Sequence, residues 1–501
     1  MHPANVSRRG FLAGSVTALA ATGLPLWYAK EIVALEQEHA IRAVKSANDK
    51  LQVGVIGCGD RVRSGDLLFA LLRNPNVEVV ACCDADAKQL EYTARIVEGE
   101  KPNNTRGQNL NAYRQPIPSN EPDPNRKTNV KVKRFRDFRD LIRQGNVDAV
   151  LVTTPDHWHA LPAIAACKAG KDVYCEKPLS LTIAEGRAMA NAARAHGRVF
   201  QTGSQQRSEL GKFRLACELV QNGRIGKIKK IETRIGNPDR GGPFKNEAPP
   251  EGLDWNLWLG QTPDVPYCKE RCHYQFRWWY AYSGGKMTDW GAHHNDVAQW
   301  ALGMDNSGPV KVTAIKGKSP GIENGYDCHQ DFEVVFEYAN GVPVHCMAAG
   351  ENGVHFEGEK GWIFVSRGAI KASDQKIIDE PLGANAKRLL ASPNHMRNFL
   401  ENIKSRGRCC ADVEIGHRSA TVCHLGNIAL RYSMGKTLHW DPAAEMFHEH
   451  DANQHVRRHM RGEWHLDPHY DTAGHGHGHW DGDGQPRERG LRGLMNRILR
   501  R

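Results

Sequence analysis

The chain has 501 residues, of which 40% are hydrophobic and 25% are charged, and its formal net charge is +10. This composition excludes a fibrous or broadly disordered protein, and the length suits two globular domains with extensions. The positive charge is spread along the chain, so it does not favour a nucleic-acid-binding patch. The 13 cysteines show no Cys-x-x-Cys framework and favour buried thiols or one fortuitous disulfide over a zinc site, so we predict no metal.

The N-terminus has the features of an export signal. The stretch Ser7-Arg8-Arg9-Gly10-Phe11-Leu12 precedes an apolar run that ends near Leu26 and is too short to cross a bilayer. Paired arginines at this offset predict a twin-arginine signal at residues 1–30, with a cleavage box at Ala18-Leu19-Ala20 or, as the alternative, an uncleaved anchor. We therefore expect a periplasmic or cell-envelope protein, with a polar connector at residues 31–50.

The first globular domain is predicted at residues 51–200. A buried strand, Leu51–Gly57, a helix to Arg73 and a second strand, Val77–Asp84, form a βαβ unit that is typical of dinucleotide-binding folds. A polar stretch rich in Pro, Asn and Gly indicates a surface insertion at about 98–130. Further strands at 132–135, 147–154, 172–175 and 198–202, with intervening helices, complete a predicted parallel sheet.

The glycines after the first strand suggest a cofactor turn. Gly57 and Gly59 let the backbone approach a pyrophosphate, although Val62 stands where the third glycine of the fingerprint is expected. Asp84 ends the second strand, where a carboxylate accepts hydrogen bonds from the ribose hydroxyls and repels a 2′-phosphate. The sequence therefore favours NAD over NADP.

Two more strand ends carry candidate site residues. Thr154, Pro155 and His159 follow the fourth predicted strand, and Glu176-Lys177-Pro178 follows the fifth. Because ligands bind at the carboxyl edge of such sheets, both groups are expected near the cofactor. The position of Lys177 at a strand end is, by itself, equally consistent with a catalytic cation and with a residue of a surface salt bridge.

A second α/β domain is predicted at residues 201–440. Alternating strands at 227–235, 310–316, 331–338, 342–348 and 362–366 indicate an open, mainly antiparallel sheet, covered by helices at 292–302, 396–404 and 416–432. Asp289 lies one helical turn before His293, so the carboxylate can orient the imidazole. The alternative is that Asp289 caps the helix and His293 packs in the core.

The last segment, residues 441–501, is predicted to be a polar tail. It contains the histidine tract His475-Gly-His477-Gly-His479 and ends in a short basic amphipathic helix at 491–499. A solvated tail is favoured over a metal site. The helix is equally consistent with contact to a membrane surface and with packing on its own domain.

Together, these motifs resemble the Gfo/Idh/MocA family, which includes glucose-fructose oxidoreductase and inositol dehydrogenase. The glycine turn, Thr-Pro-x-x-x-His, Glu-Lys-Pro and Asp-x-x-x-His occur in the family's order between about Leu51 and Asp441. The resemblance implies a Rossmann domain, a second α/β domain whose sheet often mediates oligomers, and a nicotinamide cofactor. It therefore implies a homo-oligomer.

The resemblance also implies roles for the site residues. Lys177 would polarise the reacting hydroxyl, His293 would accept its proton and Asp289 would align the site, while Glu176, Thr154 and Pro155 would line the nicotinamide pocket. Three residues near the motifs are further candidates for contacts with a carbohydrate: Gln206, Arg207 and Arg277.

Three functions remain open from the sequence. The first is an exported oxidoreductase acting on a hydroxyl of a sugar, polyol or glycoside. The second is a glycoside hydrolase that uses transient oxidation and elimination, as in some relatives. The third is a noncatalytic sugar-binding or scaffold protein, against which the intact Lys177, Asp289 and His293 argue.

Overall fold

The computed structural model describes residues 8–21, 24–43, 50–63, 67–100 and 130–470. Most of the predicted insertion, residues 101–129, lies outside these ranges. The histidine tract and the C-terminal amphipathic helix, both beyond residue 470, also lie outside the described residues.

Two helices precede the first domain, α1 (Arg8–Ala21) and α2 (Leu26–Ala43). Tyr28 and Ile32 of α2 are buried in the core of the second domain beside Phe213. The Tyr28 hydroxyl accepts a 3.0 Å hydrogen bond from the buried guanidinium of Arg214. The predicted boundary of the export signal at residue 30 therefore falls inside a packed helix.

The first domain is built on a six-stranded sheet in which every pairing is parallel. Its strand order is β3-β2-β1-β4-β5-β6, as expected for a doubly wound dinucleotide fold. The strands are β1 (Leu51–Ile56), β2 (Val77–Cys83), β3 (Lys133–Phe135), β4 (Ala149–Val152), β5 (Asp172–Cys175) and β6 (Phe200–Thr202). The helices are α3 (Asp60–Arg63), α4 (Leu67–Leu72), α5 (Ala87–Val97), α6 (Phe138–Gln144), α7 (Ala160–Lys168) and α8 (Ile183–Ala195).

Local sequence signals explain where these helices start. Asp86, Asp137 and Thr182 each accept a hydrogen bond from a backbone amide in the first turn of α5, α6 and α8, which satisfies otherwise unpaired donors. Val62 is fully buried in the core of the first domain with Cys58 and Leu67. A side chain at the third fingerprint position is thus accommodated by packing.

The second domain contains a nine-stranded sheet in the order β13-β12-β11-β7-β10-β9-β8-β14-β15. The strands are β7 (Ile228–Arg234), β8 (Lys311–Lys318), β9 (Gln330–Glu337), β10 (Pro343–Met347), β11 (Gly353–Gly358), β12 (Gly361–Val365), β13 (Ile370–Ala372), β14 (Thr437–Asp441) and β15 (Met446–Phe447). The helices after β6 are α9 (Leu215–Gln221), α10 (Trp255–Leu259), α11 (Gly285–Asp289), α12 (Gly291–Leu302), α13 (Lys376–Asp379), α14 (His395–Ser405) and α15 (Val413–Tyr432). The prediction that the helix at 396–404 covers the second sheet is wrong, because Met396, Phe399 and Leu400 of α14 are buried in the core of the first domain.

The predicted fold class is confirmed: a Rossmann domain precedes an α/β domain with a mainly antiparallel sheet. The one parallel pairing within the described part of this sheet joins β7 and β10. Helices α9, α12 and α15 supply buried side chains to the same core as the strands, including Leu219, Val297 and Leu425. Helices α11 and α12 position the site, because they carry Asp289 and His293 to the boundary between the two domains.

The interpretation of residues 441–501 as one polar tail is wrong for residues 441–470, which pack on the body of the protein. Trp464 contacts the rings of Phe138 and Trp158 at centroid distances of 6.2 and 5.0 Å. Arg458 donates a 2.6 Å bond to the fully buried Glu185 on α8. The segment has few aromatic residues, yet Trp464 and Tyr470 pack on the first domain. Phe447 packs against Trp440 in the second domain.

Candidate active site

The glycine turn at the end of β1 leaves no room for a side chain. Gly57 has φ of +95°, and a Cβ added there would lie 2.5 Å from the backbone nitrogen of Thr154. At Gly59 the same construction meets nothing within 4 Å. Glycine is thus required at position 57 for the backbone turn. At Gly59 the absence of a side chain keeps open the space beside the turn, where a pyrophosphate would bind.

Asp84 lies beside this turn at the end of β2. Its carboxylate accepts bonds from the backbone amides of Cys58 at 2.7 Å and Asp86 at 2.8 Å. Burial raises the pKa of Asp84, and these two bonds work in the opposite direction. Each oxygen still has a free acceptor position, as ribose recognition requires.

A long segment of the second domain, which we call the crossing segment (residues 236–283), reaches the same edge. The amide of Ala87 donates to the carbonyl of Gly252 at 2.9 Å, and the amide of Asp254 donates to Ala85 at 3.0 Å. Near its end, Tyr282 accepts a 3.2 Å bond from the amide of His157. The crossing segment thereby connects the ends of β2 and β4.

The Thr154-Pro155 edge follows β4, and the hydroxyl of Thr154 is buried without a partner among the described residues. The imidazole ring of His159 contacts backbone carbonyls on both sides. One ring nitrogen bonds the carbonyl of Pro178 at 2.7 Å and the other bonds the carbonyl of Thr154 at 3.0 Å. The ring therefore ties together the two loops that carry Thr154 and Lys177. A direct contact between His159 and the cofactor stays a prediction.

Glu176 is held by residues from both sides of the cleft. Arg61, just after the glycine turn, donates to its carboxylate at 2.7 Å, and the amide of Gln205 donates at 3.0 Å. Burial alone would raise the pKa of Glu176, but the charge of Arg61 outweighs it and the pKa is lowered. An ionised carboxylate therefore stands at the end of β5, bridging the glycine turn and the start of the second domain.

Lys177 joins the two domains at the site. Its Nζ donates to Asp289 Oδ1 at 2.8 Å and to the carbonyl oxygen of Asp289 at 2.9 Å. Their side chains are 12% and 16% exposed, so the pair remains open to the cleft. Burial would raise the pKa of Asp289, but Lys177, Arg277 and Lys286 together hold it well below its usual value. The aspartate is ionised and fixes the lysine ammonium in place.

His293 is buried on α12, and neither ring nitrogen has a hydrogen-bond partner among the described residues. Buried polar groups are rarely left unpaired unless a ligand or a function uses them. Burial, followed by the positive charge of Lys177, lowers the pKa of His293 well below its ordinary value. The imidazole is thus neutral near pH 7 and able to accept a proton.

The three predicted carbohydrate contacts have different surroundings. Arg207 is buried, and its guanidinium binds the carboxylates of Asp296 and Asp305 at 2.7 to 3.1 Å. Because these two carboxylates neutralise its charge inside the protein, the prediction that Arg207 contacts the substrate is wrong. Gln206 is buried with an unpartnered amide. Arg277 lies 3.9 Å from Asp289 and is therefore at the site.

Three cationic residues that were not predicted from the sequence surround the pair of Lys177 and Asp289. Arg61 binds Glu176, Lys286 acts on the carboxylate of Asp289, and Arg367 lies over the ring of Trp290 and acts on His293. Lys286 lies within the motif that contains Asp289, so its position one turn earlier was an available signal. Arg367 lies in the hairpin between β12 and β13, far away in sequence, and no pattern marked it.

No group of three or more His, Cys, Asp or Glu side chains is arranged to hold a metal ion in the described ranges. Within the same ranges, no helix is both long and apolar enough to cross a membrane.

The cleft fits a dinucleotide. The turn at Gly57, the open space at Gly59 and the acceptor oxygens of Asp84 lie in the order that a pyrophosphate and its ribose require. The unpartnered hydroxyl of Thr154 adds a donor on the same edge. NAD would therefore extend from Asp84, past Gly59, towards Lys177.

Two domain descriptions match the chain. Residues 51–204 match the Gfo/Idh/MocA domain described as "Oxidoreductase family, NAD-binding Rossmann fold". Residues 242–466 match that family's domain described as "Oxidoreductase family, C-terminal alpha/beta domain". Together they span about three quarters of the chain.

Individual proteins are similar over shorter stretches. Myo-inositol 2-dehydrogenase of Thermotoga maritima is 25% identical over 291 residues, covering 54% of this chain and 74% of that protein. A glycosyl hydrolase family 109 protein of Shewanella putrefaciens is 29% identical over 187 residues, or 36% of this chain and 35% of that protein. The crystal structure of aldose-aldose oxidoreductase from Caulobacter crescentus has a TM-score of 0.53 and 19% identity, and the match covers 78% of this chain and 99% of the other.

Proposed function

Because the chain belongs to the Gfo/Idh/MocA family of NAD-binding oxidoreductases, we propose that it reversibly oxidises a hydroxyl group of a sugar, polyol or glycoside. The similarity to myo-inositol 2-dehydrogenase supports a polyhydroxylated substrate. The observation that carries the proposal is the contact between Lys177 and Asp289 beside an unpartnered, buried His293.

Each side chain has one task in this reaction. NAD, when bound, supplies the acceptor for the hydride that leaves the carbon. Lys177 donates a hydrogen bond to the hydroxyl oxygen and stabilises the negative charge that develops on it. His293 takes the hydroxyl proton, which its lowered pKa permits at neutral pH because the ring is uncharged. Asp289 keeps the ammonium of Lys177 pointed at the substrate.

Replacing Lys177 tests this assignment. In K177A we expect kcat to fall on the order of 100-fold or more, because one electrostatic donor to an oxyanion is typically worth that much. The affinity for NADH, followed by its fluorescence, should change by less than about twofold, because Lys177 lies beyond the glycine turn. The control K269A removes a lysine that is 77% exposed. Undiminished turnover of sugars in K177A would remove Lys177 from the mechanism.

Hydrolysis is the second candidate, and the similarity to a glycosyl hydrolase family 109 protein favours it. In that case oxidation would be transient, and a leaving group would be eliminated before the product is reduced. A chromogenic glycoside separates the two reactions. NADH accumulation without aglycone release supports the dehydrogenase, whereas aglycone release without net NADH supports the hydrolase.

We also propose export of the folded protein by the twin-arginine route. Arg8 and Arg9 support this, as do the 13 cysteines, which are all free and buried. Such thiols suit a protein that folds in a reducing compartment and is then moved intact. Fractionation of cells that express the full chain should recover it from the periplasm. Retention in the cytoplasm when Arg8 and Arg9 are both changed to lysine would support the proposal, and unchanged distribution would contradict it.

Self-association is a further proposal. Strands β7 to β10 alternate buried and partly exposed residues, so one face of their sheet remains available beyond the helices that cover the other. Size-exclusion chromatography with light scattering tests this, and a mass equal to one chain would overturn it.

A further inference from the structure

Positive charge is concentrated on the second-domain side of the cleft. The carboxylate of Asp289 is approached by three cations, Lys177, Arg277 and Lys286. Only Lys177 makes a close contact with it, at 2.8 Å, while Arg277 Nε stays 3.9 Å away. Two further buried carboxylates act on these cations, Asp156 on Lys177 and Arg277, and Glu176 on Lys177. Lys286 differs from the other two cations in its surroundings.

Lys286 has no close counter-ion among the described residues. It is half-buried, and its Nζ lies 5.3 Å from the centre of the Trp278 ring. Within the described part of the chain, no carboxylate comes within ion-pair distance of that ammonium group. Asp289 and the exposed Asp239 act on it only from farther away. Burial lowers the pKa of Lys286 for this reason, because its charge is desolvated without a close counter-ion.

Arg277 is held in a position from which it can bind a ligand. Its guanidinium carbon lies 3.7 Å from the centre of the Tyr274 ring, and its side chain is 18% exposed. Stacking on an aromatic face fixes the orientation of the guanidinium without neutralising it. The planar fork therefore keeps donors for a carboxylate or a phosphate.

A further second-domain residue, Arg367, adds positive charge near His293. Arg367 lies 4.7 Å from the centre of the Trp290 ring, and its positive charge helps to lower the pKa of His293. Keeping the half-buried ammonium of Lys286 without a close counter-ion is unfavourable, and an anionic group on a ligand would offset this cost. NAD is itself anionic, but its pyrophosphate is expected at Gly59, beside the first domain, rather than at Lys286.

We propose that the substrate of this site carries an anionic group, a carboxylate or a phosphate, and that Lys286 and Arg277 bind it. This inference rests on the proposed function, because it places the anion on the molecule whose hydroxyl faces Lys177. A sugar acid and a sugar phosphate share the required chemistry. Lys286 and Arg277 would then decide which sugars are accepted, while Lys177 and His293 act on the hydroxyl.

The test compares neutral and acidic partners of the same sugars. The probes are D-glucose with D-glucuronate, D-galactose with D-galacturonate, and D-glucose 6-phosphate, each titrated into the NADH-loaded full-length protein by calorimetry and assayed for NADH formation with NAD. We expect at least one acidic probe to bind more than tenfold better than its neutral partner. That advantage should fall at least tenfold in K286M and persist in K269M.

Several outcomes decide the proposal. A preference for the uronates assigns a carboxylate, and a preference for the 6-phosphate assigns a phosphate. The proposal is overturned if neutral sugars bind as well as acidic ones, if the advantage survives in K286M, or if neither acidic sugars nor inorganic phosphate bind more tightly than glucose. Binding of an acidic sugar that depends on Lys286 but yields no NADH would keep the anion site and reject the dehydrogenase.

Discussion

Replacing Arg207 by methionine distinguishes a structural role from a role in substrate binding. The guanidinium bonds Asp296 at 2.8 Å and Asp305 at 2.7 Å, and the side chains of Arg207 and Asp296 are 2% and 1% exposed. Without the arginine, Asp296 keeps only the hydroxyl of Ser419 and remains charged in the core. Removing one partner of a buried pair costs about 3–5 kcal/mol.

That cost corresponds to a melting temperature lowered by roughly 6 to 20 °C for a domain of this size. Thermal unfolding of the purified full chain, followed by circular dichroism, measures it. The double variant R207M/D296N should be more stable than R207M because it no longer buries an unpaired carboxylate. The control D305N removes a partner that is 27% exposed and should cost about 1 kcal/mol or less. A melting temperature unchanged in R207M, together with a raised KM for sugars, would refute the structural role.

The remaining predictions concern the glycine turn and the catalytic base. G57A should lose both stability and NADH binding, because its Cβ would meet the backbone of Thr154 at 2.5 Å, whereas G59A should keep its melting temperature and lose NADH affinity. Equal melting temperatures for the two variants would contradict this difference. With His293 as the base, burial lowers its pKa below about 6.5, so kcat/KM should stay level from pH 8 to 6.5 and fall only in more acidic buffer. A fall centred above pH 6.5 would assign the proton to another group.

The parallel sheet was predictable because its signals are local. Short apolar runs that end in glycine or acid identify buried strands, and the observed β1, β2 and β5 lie within or match the predicted ranges. In the second domain, β11 was missed although it alternates. It is only six residues long and begins and ends with glycine, which weakens a strand in sequence terms. Its stability comes from pairing with β7 and β12, which local sequence does not encode.

The site residues that lie in recognisable motifs were predictable from the sequence. The contacts that only the fold creates were not. Lys177 and Asp289 are far apart in the chain but lie in motifs of known order, so their contact was foreseeable. Arg207 could not be assigned correctly, because the sequence does not reveal its buried pair with Asp296. Nor does the sequence reveal the two carbonyls that contact the His159 ring. The positive charge that Arg367 places near His293 was also unpredictable, because Arg367 lies far from His293 in sequence and only the fold brings them together.

The return of the chain to the first domain at residues 457–470 has a mechanical consequence. Two domains joined by one covalent connection can swing apart about that hinge. Here the polypeptide crosses after β6, returns to the first domain at α14, and returns again beyond β15. A swing that opens the cleft would have to break the buried contact of Arg458 with Glu185 and pull Trp464 away from Trp158. We therefore expect the two domains to keep their mutual orientation while ligands are exchanged through smaller movements at the rim of the cleft.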